Sequence, residues 1–289
     1  SFDWAGVMPT EILTVGSNKY LFYIGWANRL DVPYHNNLGL ALSTDGGNTW
    51  KKFSEGPVLA TSYKEPGYVG TISIIKEKEL YYGYYLSCRK WEEIDNRIEP
   101  IYDIKIATST NLIDWLPLNE TAICLSGDEG GISKASILKL KGAYYMWYAV
   151  RKSTDYRENP QNSYRIKCAK SDDLIHWEKR GPVLQSPKYI NSWSKSGAII
   201  VAQKGDQMVA KKINGKYWMY FGDTDLFMAF SSDLIHWEPL ENSESKKLVS
   251  VLQPRAGYFD SRLVEPGPYA LYTEKGIVLI YNSSNAADN

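Results

Sequence analysis

Apolar and aromatic residues recur along the chain in short runs that partly alternate with polar ones, each run bounded by Gly, Asn, Asp or Lys. Runs of this length, with a period near two and turn residues at their ends, predict β-strands. The clearest cover residues 20–26, 80–86, 144–150 and 217–221. Another strand precedes each, at 9–15, 70–75, 133–140 and, less regularly, 198–210. Turns such as Gly16-Ser17-Asn18-Lys19 and Asn214-Gly215-Lys216 separate the two members of a pair, as hairpins require.

After each pair comes a third strand that runs into one recurring segment. The four copies are Ala41-Leu-Ser-Thr-Asp-Gly-Gly-Asn-Thr-Trp50, Ala107-Thr-Ser-Thr-Asn-Leu-Ile-Asp-Trp115, Ala169-Lys-Ser-Asp-Asp-Leu-Ile-His-Trp177 and Ala229-Phe-Ser-Ser-Asp-Leu-Ile-His-Trp237. Their period is roughly 60 residues, which marks a repeat architecture. The short Ser and Asp side chains bond nearby backbone and so suit a tight turn between the third and fourth strands. The Trp then packs between units. His176 and His236 sit at a repeat position and read as scaffold for the same reason.

One four-stranded meander cannot bury both of its faces, so neighbouring units stack around an axis. The expected fold is all-β: a single five-bladed β-propeller of four-stranded antiparallel blades. Its blades fall at about 1–60, 61–122, 123–186, 187–245 and 246–289. The fifth copy begins at Phe259 and runs through 263–271 and 276–282. Two of its strands lack a counterpart before the last residue, which leaves the last blade incomplete in this chain.

Composition narrows the function. Lys plus Arg and Asp plus Glu both number 33, for zero formal net charge. A nucleic-acid partner would demand a basic face, so none is expected. No apolar run approaches a membrane span. The three cysteines, Cys88, Cys124 and Cys168, form neither a CxxC pair nor a disulfide framework. No metal-ligand spacing is visible, and neither metal nor cofactor is expected. Compartment and oligomeric state stay open. The 22 Tyr and 10 Trp suit half-buried strands. They also suit the stacking of sugar rings, since each joins an apolar face to a polar edge.

The Ser-Asp-Leu-Ile-His-Trp turn resembles the blades of the five-bladed propeller glycosidases, the superfamily of glycoside hydrolase families 32, 43, 62, 68, 117 and 130. The second half is most similar to family 130, the mannoside phosphorylases and β-1,2-mannosidases. The resemblance lies in Trp193-Ser-Lys-Ser-Gly-Ala-Ile, Asn214-Gly-Lys-Tyr-Trp-Met-Tyr-Phe-Gly, Phe259-Asp-Ser-Arg-Leu-Val-Glu-Pro-Gly-Pro and Gly276-Ile-Val-Leu-Ile-Tyr-Asn. The Glu-Asp-Pro-Arg signature of that family, whose Asp is the proton donor, does not occur here. The resemblance thus implies sugar handling more directly than mannoside phosphorolysis.

Glycoside cleavage needs one acid to protonate the leaving oxygen and one carboxylate to activate water or attack. In a propeller, acids at the heads of different inner strands converge at one opening. The candidates are Asp3, Glu65, Glu129 with its neighbour Asp128, Asp260 and Glu265. The fourth head offers only Lys195, then Asp206. By position in related propellers, Asp3 is the expected base and Glu129 the acid, with Glu65 tuning its pKa. Three long connections between second and third strands are expected to wall the pocket. They contribute Arg29, Tyr34 and His35 (28–37), Trp91 (90–102), and Arg151, Tyr156 and Arg157, with Arg165 beyond. Arg262 flanks the entrance beside Asp260. The expected activity is glycoside cleavage, inverting, by hydrolysis or phosphorolysis of an oligosaccharide. The alternative is a propeller that binds carbohydrate or assists glycan assembly without cleaving it. A WD-type interaction propeller fits less well, because its repeat is shorter and its Gly-His and Trp-Asp marks are absent.

Overall fold

The computed structural model describes residues 1–205 and 207–285, and all regular structure among them is β. The first blade pairs Gly6–Val15, Asn18–Ala27, His35–Ser43 and Lys51–Lys52 in chain order, all antiparallel. The second comprises Tyr68–Glu77, Leu80–Ile94, Arg97–Ser109 and Leu116–Ile123. The third comprises Glu129–Leu140, Ala143–Lys152, Arg165–Ser171 and Glu178–Pro182. In the fourth, Ala198–Lys204, Tyr217–Asp223, Asp225–Ser231 and Glu238–Pro239 pair in the same way. The fifth copy contributes one hairpin among the described residues. Leu263–Pro266 pairs with Tyr281–Ser284, and Ala270–Thr273 with Gly276–Val278.

The apolar faces meet between blades. One core joins Phe22, Leu38 and Leu40 of the first blade to Val69, Ile72 and Tyr85 of the second. A second joins Ile104 and Ile106 to Ile132, Ile137 and Met146, and a third joins the third blade to the fourth and to Tyr269 of the fifth. Period-two alternation serves this packing because each strand carries side chains to both faces and each face meets another blade.

The recurring turn does the work expected of it. In all four copies the Ser hydroxyl meets the next Asp or Asn (Ser43–Asp45, Ser109–Asn111, Ser171–Asp173, Ser231–Asp233) at 2.7–3.1 Å. It also accepts a backbone N–H further along the turn. Leu112, Leu174 and Leu234 adopt φ of 68°, 69° and 71°, and the first copy has Gly46 and Gly47 there instead. His176 and His236 each place Nδ1 2.7 Å from the Asp three residues back, so both close the turn. The Trp then reaches the preceding blade: Trp115 meets Phe22 edge-on, and Trp177 meets Tyr84 edge-on at 5.4 Å.

Near the axis the inner strands of the fourth and fifth blades pair directly, Ile200 with Ala270 and Val201 with Leu271, and elsewhere side chains link different blades. Thr10 Oγ1 accepts from Ile72 N and donates to Ile72 O. Tyr269 does the same with Ile137 from the far side. Buried Glu11 accepts from Ile12 N, Ile74 N and the Ser73 hydroxyl. These contacts form a floor across the channel.

One expected loop proves to be strand. Residues 90–102 continue the second and third strands of the second blade to a tight turn at Asp95-Asn96, with φ of 51° and 59°. Two positive-φ positions make the hairpin turn that Asp and Asn tolerate.

Candidate active site

A cavity of about 570 Å³ opens above the floor, with wall residues from all five blades. Its two sides differ in kind. Blades one to three supply Trp26, Tyr34, Tyr68, Tyr102, Tyr156 and Tyr164. Trp26 and Tyr34 pack at 4.7 Å between ring centroids, and Tyr34 meets Tyr68 at 5.5 Å, so the wall is a continuous aromatic surface. Trp91 buttresses it from behind, 5.0 Å from Tyr34 and 5.7 Å from Tyr68. Asn36 also lines the cavity, and its buried Oδ1 has no hydrogen-bond partner among the described residues.

Blades four and five supply the carboxylates, while Lys134 and Arg157 of the third blade add positive charge. Among the described residues, Asp223 and Glu265 are the carboxylates that line the cavity, and Lys195 bridges them. Its Nζ lies 2.6 Å from Asp223 Oδ2 and 3.3 Å from Glu265 Oε1. Ser196 donates to the same Glu265 oxygen. Lys134, on the inner strand of the third blade, reaches the Pro266 and Gly267 carbonyls. Burial pushes the Glu265 carboxyl pKa up, but Lys195, Lys134 and Ser196 outweigh it and hold the pKa below the usual range. Glu265 is therefore an ionised, recessed carboxylate. Burial brings the Lys134 ammonium down to about 8, against the pull of Glu265 and Glu11.

Local sequence explains this placement. The second and third strands of the fourth blade meet in the tight turn Asp223-Thr224-Asp225, so Asp223 stands at a hairpin tip instead of on a long loop. Gly222 makes this possible: its φ is 137°, and a Cβ there would lie 2.1 Å from Asp225 O. Its N–H donates to Lys195 O, which ties the hairpin to the segment just ahead of the inner strand, where the bridging lysine sits. Residues 267–269 interrupt the fifth inner strand, which resumes at Ala270, just beyond Glu265 and Pro266.

Of the residues expected at the site, Glu265, Tyr34, Tyr156 and Arg157 line the cavity. Arg157 is clamped by Glu99, with Nε and Nη2 2.7 and 3.1 Å from its two oxygens. Trp91 stands in the second row. Arg151 is buried behind Tyr102 and stays out of the central cavity. Arg29 and Arg262 are exposed, and with His35 they lie off the cavity wall. Asp206 lies outside the described residues.

Asp3, Glu65, Glu129 and Asp260 do not line the central cavity either. Each is engaged within its own blade. Tyr23 donates to Asp3 at 3.1 Å, and Lys52 pairs with that acid at 2.5 Å. Tyr85 donates to Glu65 at 2.9 Å, with Lys105 at 3.1 Å. Tyr281 donates to Asp260 at 2.8 Å, with Arg255 at 2.9 Å. Glu129 pairs with Lys167 and Lys179 at 2.7 and 3.3 Å, and borders a separate polar cavity of about 390 Å³ that Asp128, Arg151 and Arg165 also line. The reason is geometric. An acid just ahead of an inner strand sits within its own blade, where a Tyr and a cation meet Asp3, Glu65 and Asp260 and two lysines meet Glu129. The fourth blade, which has no acid at this place, carries buried Phe221 where the tyrosine would be.

Asp223, Lys134, Tyr68, Tyr102 and Tyr164 line the cavity as well, beyond the residues expected from the sequence. The one available signal was the contrast between Phe-Gly-Asp-Thr-Asp, with almost no loop, and the longer connections of the other blades.

Comparisons with known proteins agree with this picture. A structure solved in work on glycoside hydrolases of the family 130 mannoside phosphorylases, which target β-1,2-mannosidic linkages in Candida mannan, superposes with a TM-score of 0.66. It shares 30% identity over 75% of this chain and 61% of its own. The 1,2-β-oligomannan phosphorylase of Thermoanaerobacter sp. (strain X514) is 31% identical over 156 residues, 54% of this chain and 43% of the relative. Sucrose-6-phosphate hydrolase of Lactobacillus gasseri shares the fold alone, at TM-score 0.62 and 12% identity over 97% of this chain and 54% of its own. The chain spans less than two thirds of the length of each of these relatives. The family model described as beta-1,4-mannooligosaccharide phosphorylase matches residues 79–289, most of the chain, and the protein belongs to glycoside hydrolase family 130.

Proposed function

We propose that this chain cleaves mannosidic linkages by hydrolysis in the central cavity, with Glu265 as the base that activates water. The observation that carries this reading is the ionised, recessed Glu265 on the cavity wall, held by Lys195 and faced across the cavity by an aromatic surface. Stacking on Trp26 and Tyr34 holds a sugar ring by its apolar face. Asn36, whose buried Oδ1 has no hydrogen-bond partner among the described residues, adds a polar group to the same wall. Lys195, steadied by Asp223, keeps the Glu265 charge in place without sealing the carboxylate, since only one oxygen is bridged. As a base, Glu265 would deprotonate water instead of bonding to a sugar carbon, which is the role of the carboxylate in an inverting enzyme.

Hydrolysis is favoured over phosphorolysis by charge. A phosphate needs cations free to meet it, and those of this cavity are engaged. Arg157 is neutralised by Glu99, Lys195 by two carboxylates, and Lys134 is turned to backbone carbonyls. Binding without cleavage is a second reading. It is favoured by the missing Glu-Asp-Pro-Arg segment and by the presence of Lys134 on the third inner strand where a cavity acid could have stood.

The test is an assay of β-1,2- and β-1,4-linked mannobiose, with and without phosphate, against wild type and Glu265→Gln. Loss of a base costs about 100-fold or more in rate. The expected result is phosphate-independent release of mannose that Glu265→Gln abolishes. Release of mannose 1-phosphate only when phosphate is present would replace hydrolysis with phosphorolysis. Binding without turnover would favour the second reading.

A further inference from the structure

A base alone does not cleave a glycoside, because the leaving oxygen must receive a proton. Both cavity carboxylates are ion-paired to Lys195, so the donor has to be sought elsewhere on the wall. Lys134 is turned to carbonyls, and Glu11 lies in the floor.

Tyr102 and Tyr164 both line the cavity, and their hydroxyl oxygens are 2.5 Å apart. Behind them lies Arg151, 1% exposed. Its Nη2 donates to Pro100 O at 2.6 Å, its Nη1 to Lys152 O at 2.9 Å and its Nε to the Tyr102 hydroxyl at 3.4 Å. Arg89, Arg97, Arg157, Arg180 and Arg255 each pair with a carboxylate. Arg151 has no carboxylate partner among the described residues. Its charge faces phenols: the guanidinium lies 5.2 Å from the Tyr102 ring centroid and 4.1 Å from that of Tyr156.

Arginine only donates, so the Tyr102 oxygen accepts from Arg151, and either phenol can supply the proton of the 2.5 Å bond between them. With Tyr102 as that donor, the Tyr164 oxygen is occupied as an acceptor and its own O–H is left for whatever fills the cavity. Gly131 makes room for the stack, since a Cβ there would lie 2.6 Å from Tyr102 Cζ. Lys195 Nζ sits 5.1 Å from the Tyr164 ring centroid, so one lysine has Tyr164 on one side and Glu265 on the other.

We propose that Tyr164 is the catalytic proton donor of this site, with Tyr102 and Arg151 as positioning residues; the inference rests on the hydrolase reading above. As the C–O bond breaks, the leaving oxygen takes the Tyr164 proton, Tyr164 takes that of Tyr102, and Tyr102 is left as a phenolate beside the Arg151 guanidinium. Glu265 takes a proton from the attacking water, whose oxygen bonds to the sugar carbon. Returning that proton through solvent to Tyr102 restores the site, and no further reactant is needed. Burial holds the Tyr164 phenol well above the usual range, so it carries its proton throughout the working pH range.

The experiment compares a poor leaving group with a good one, because only the poor one needs the acid. Wild type, Tyr164→Phe and Tyr102→Phe are assayed on β-1,2-mannobiose and on 2,4-dinitrophenyl β-mannoside. Tyr164→Phe should lose about 100-fold or more on mannobiose and stay within about threefold of wild type on the aryl substrate. Equal losses on both substrates would assign Tyr164 a structural role and overturn the proposal, as would no loss on either. If Tyr164→Phe fails to fold, Tyr102→Phe decides by the same split, at about tenfold on mannobiose. A wild type inert on both substrates would overturn the hydrolase reading itself. An active wild type with an unaffected Tyr164→Phe overturns only the proton donor.

Discussion

The Tyr85 hydroxyl donates a 2.9 Å hydrogen bond to Glu65, 20 residues earlier in the chain. The pairs Tyr23–Asp3 and Tyr281–Asp260 repeat this relationship at separations of 20 and 21 residues. The repeat therefore includes a latch in which a tyrosine from the second strand and a cation fasten the segment ahead of the inner strand. A feature carried by several blades at equivalent places belongs to the scaffold, whereas Glu265 and Asp223 have no such counterparts.

Removing one side of the latch should cost stability and leave chemistry alone. Tyr85→Phe leaves a buried carboxylate one donor short, for a loss of about 1–3 kcal/mol. Urea denaturation should show this loss while kcat on mannobiose stays within about twofold of wild type. A kcat that collapsed in a folded Tyr85→Phe would return Glu65 to the active site.

The aromatic wall should govern affinity for the sugar more than the bond-breaking step. Trp26→Ala is expected to raise KM by about 5- to 30-fold with kcat little changed, the signature of binding shared by ground and transition states. Steady-state kinetics on mannobiose and longer oligosaccharides measure the split.

Lys195 should set the working range of Glu265 if that residue is the proposed base. It helps to hold the Glu265 carboxyl below the usual pKa, so the deprotonated base persists as pH falls and is lost only below that lowered value. Lys195→Met removes the first of the two cations opposing burial. The acidic limb of the kcat/KM profile should move to higher pH in that variant, and an unmoved limb would exclude Glu265 as the group titrated.

Glu11 in the channel floor predicts a second pH effect of opposite sign. Burial raises its pKa to about 7 from 4.5, despite its hydrogen bonds and Lys134. Between those values the folded protein binds the extra proton, so the contribution of Glu11 to stability is full below 4.5 and falls as pH rises to about 7. The loss is on the order of 3 kcal/mol. Glu11→Gln should remove this part of the slope, and denaturation midpoints at pH 5 and 8 for both proteins test it.

Much of the scaffold was legible in the chain because its signals are local. The Ser-Asp-Leu-Ile-His-Trp turn bonds to itself within a few residues, so its spacing announces it. The strands at 20–26 and 144–150 follow from the period-two pattern, which burial on two faces enforces. The hairpin at Asp95-Asn96 was less visible, because strands that extend beyond the blade lose the regular pattern and resemble a loop.

The site was legible only in part, and the reason is physical. Sequence placed carboxylates at strand heads but could not say which faced the axis. That depends on where the second strand of the same blade puts a tyrosine and a cation. Nor could it pair Lys195 with Asp223 and Glu265, or Tyr102 with Tyr164, because those contacts join residues held together only once the blades close around an axis. The amino-acid order by itself determined the repeat, the turn chemistry and the all-β blades, through interactions between near neighbours. The choice of which acid is latched and which is left at the cavity was made by tertiary packing, where distance in space replaces distance along the chain.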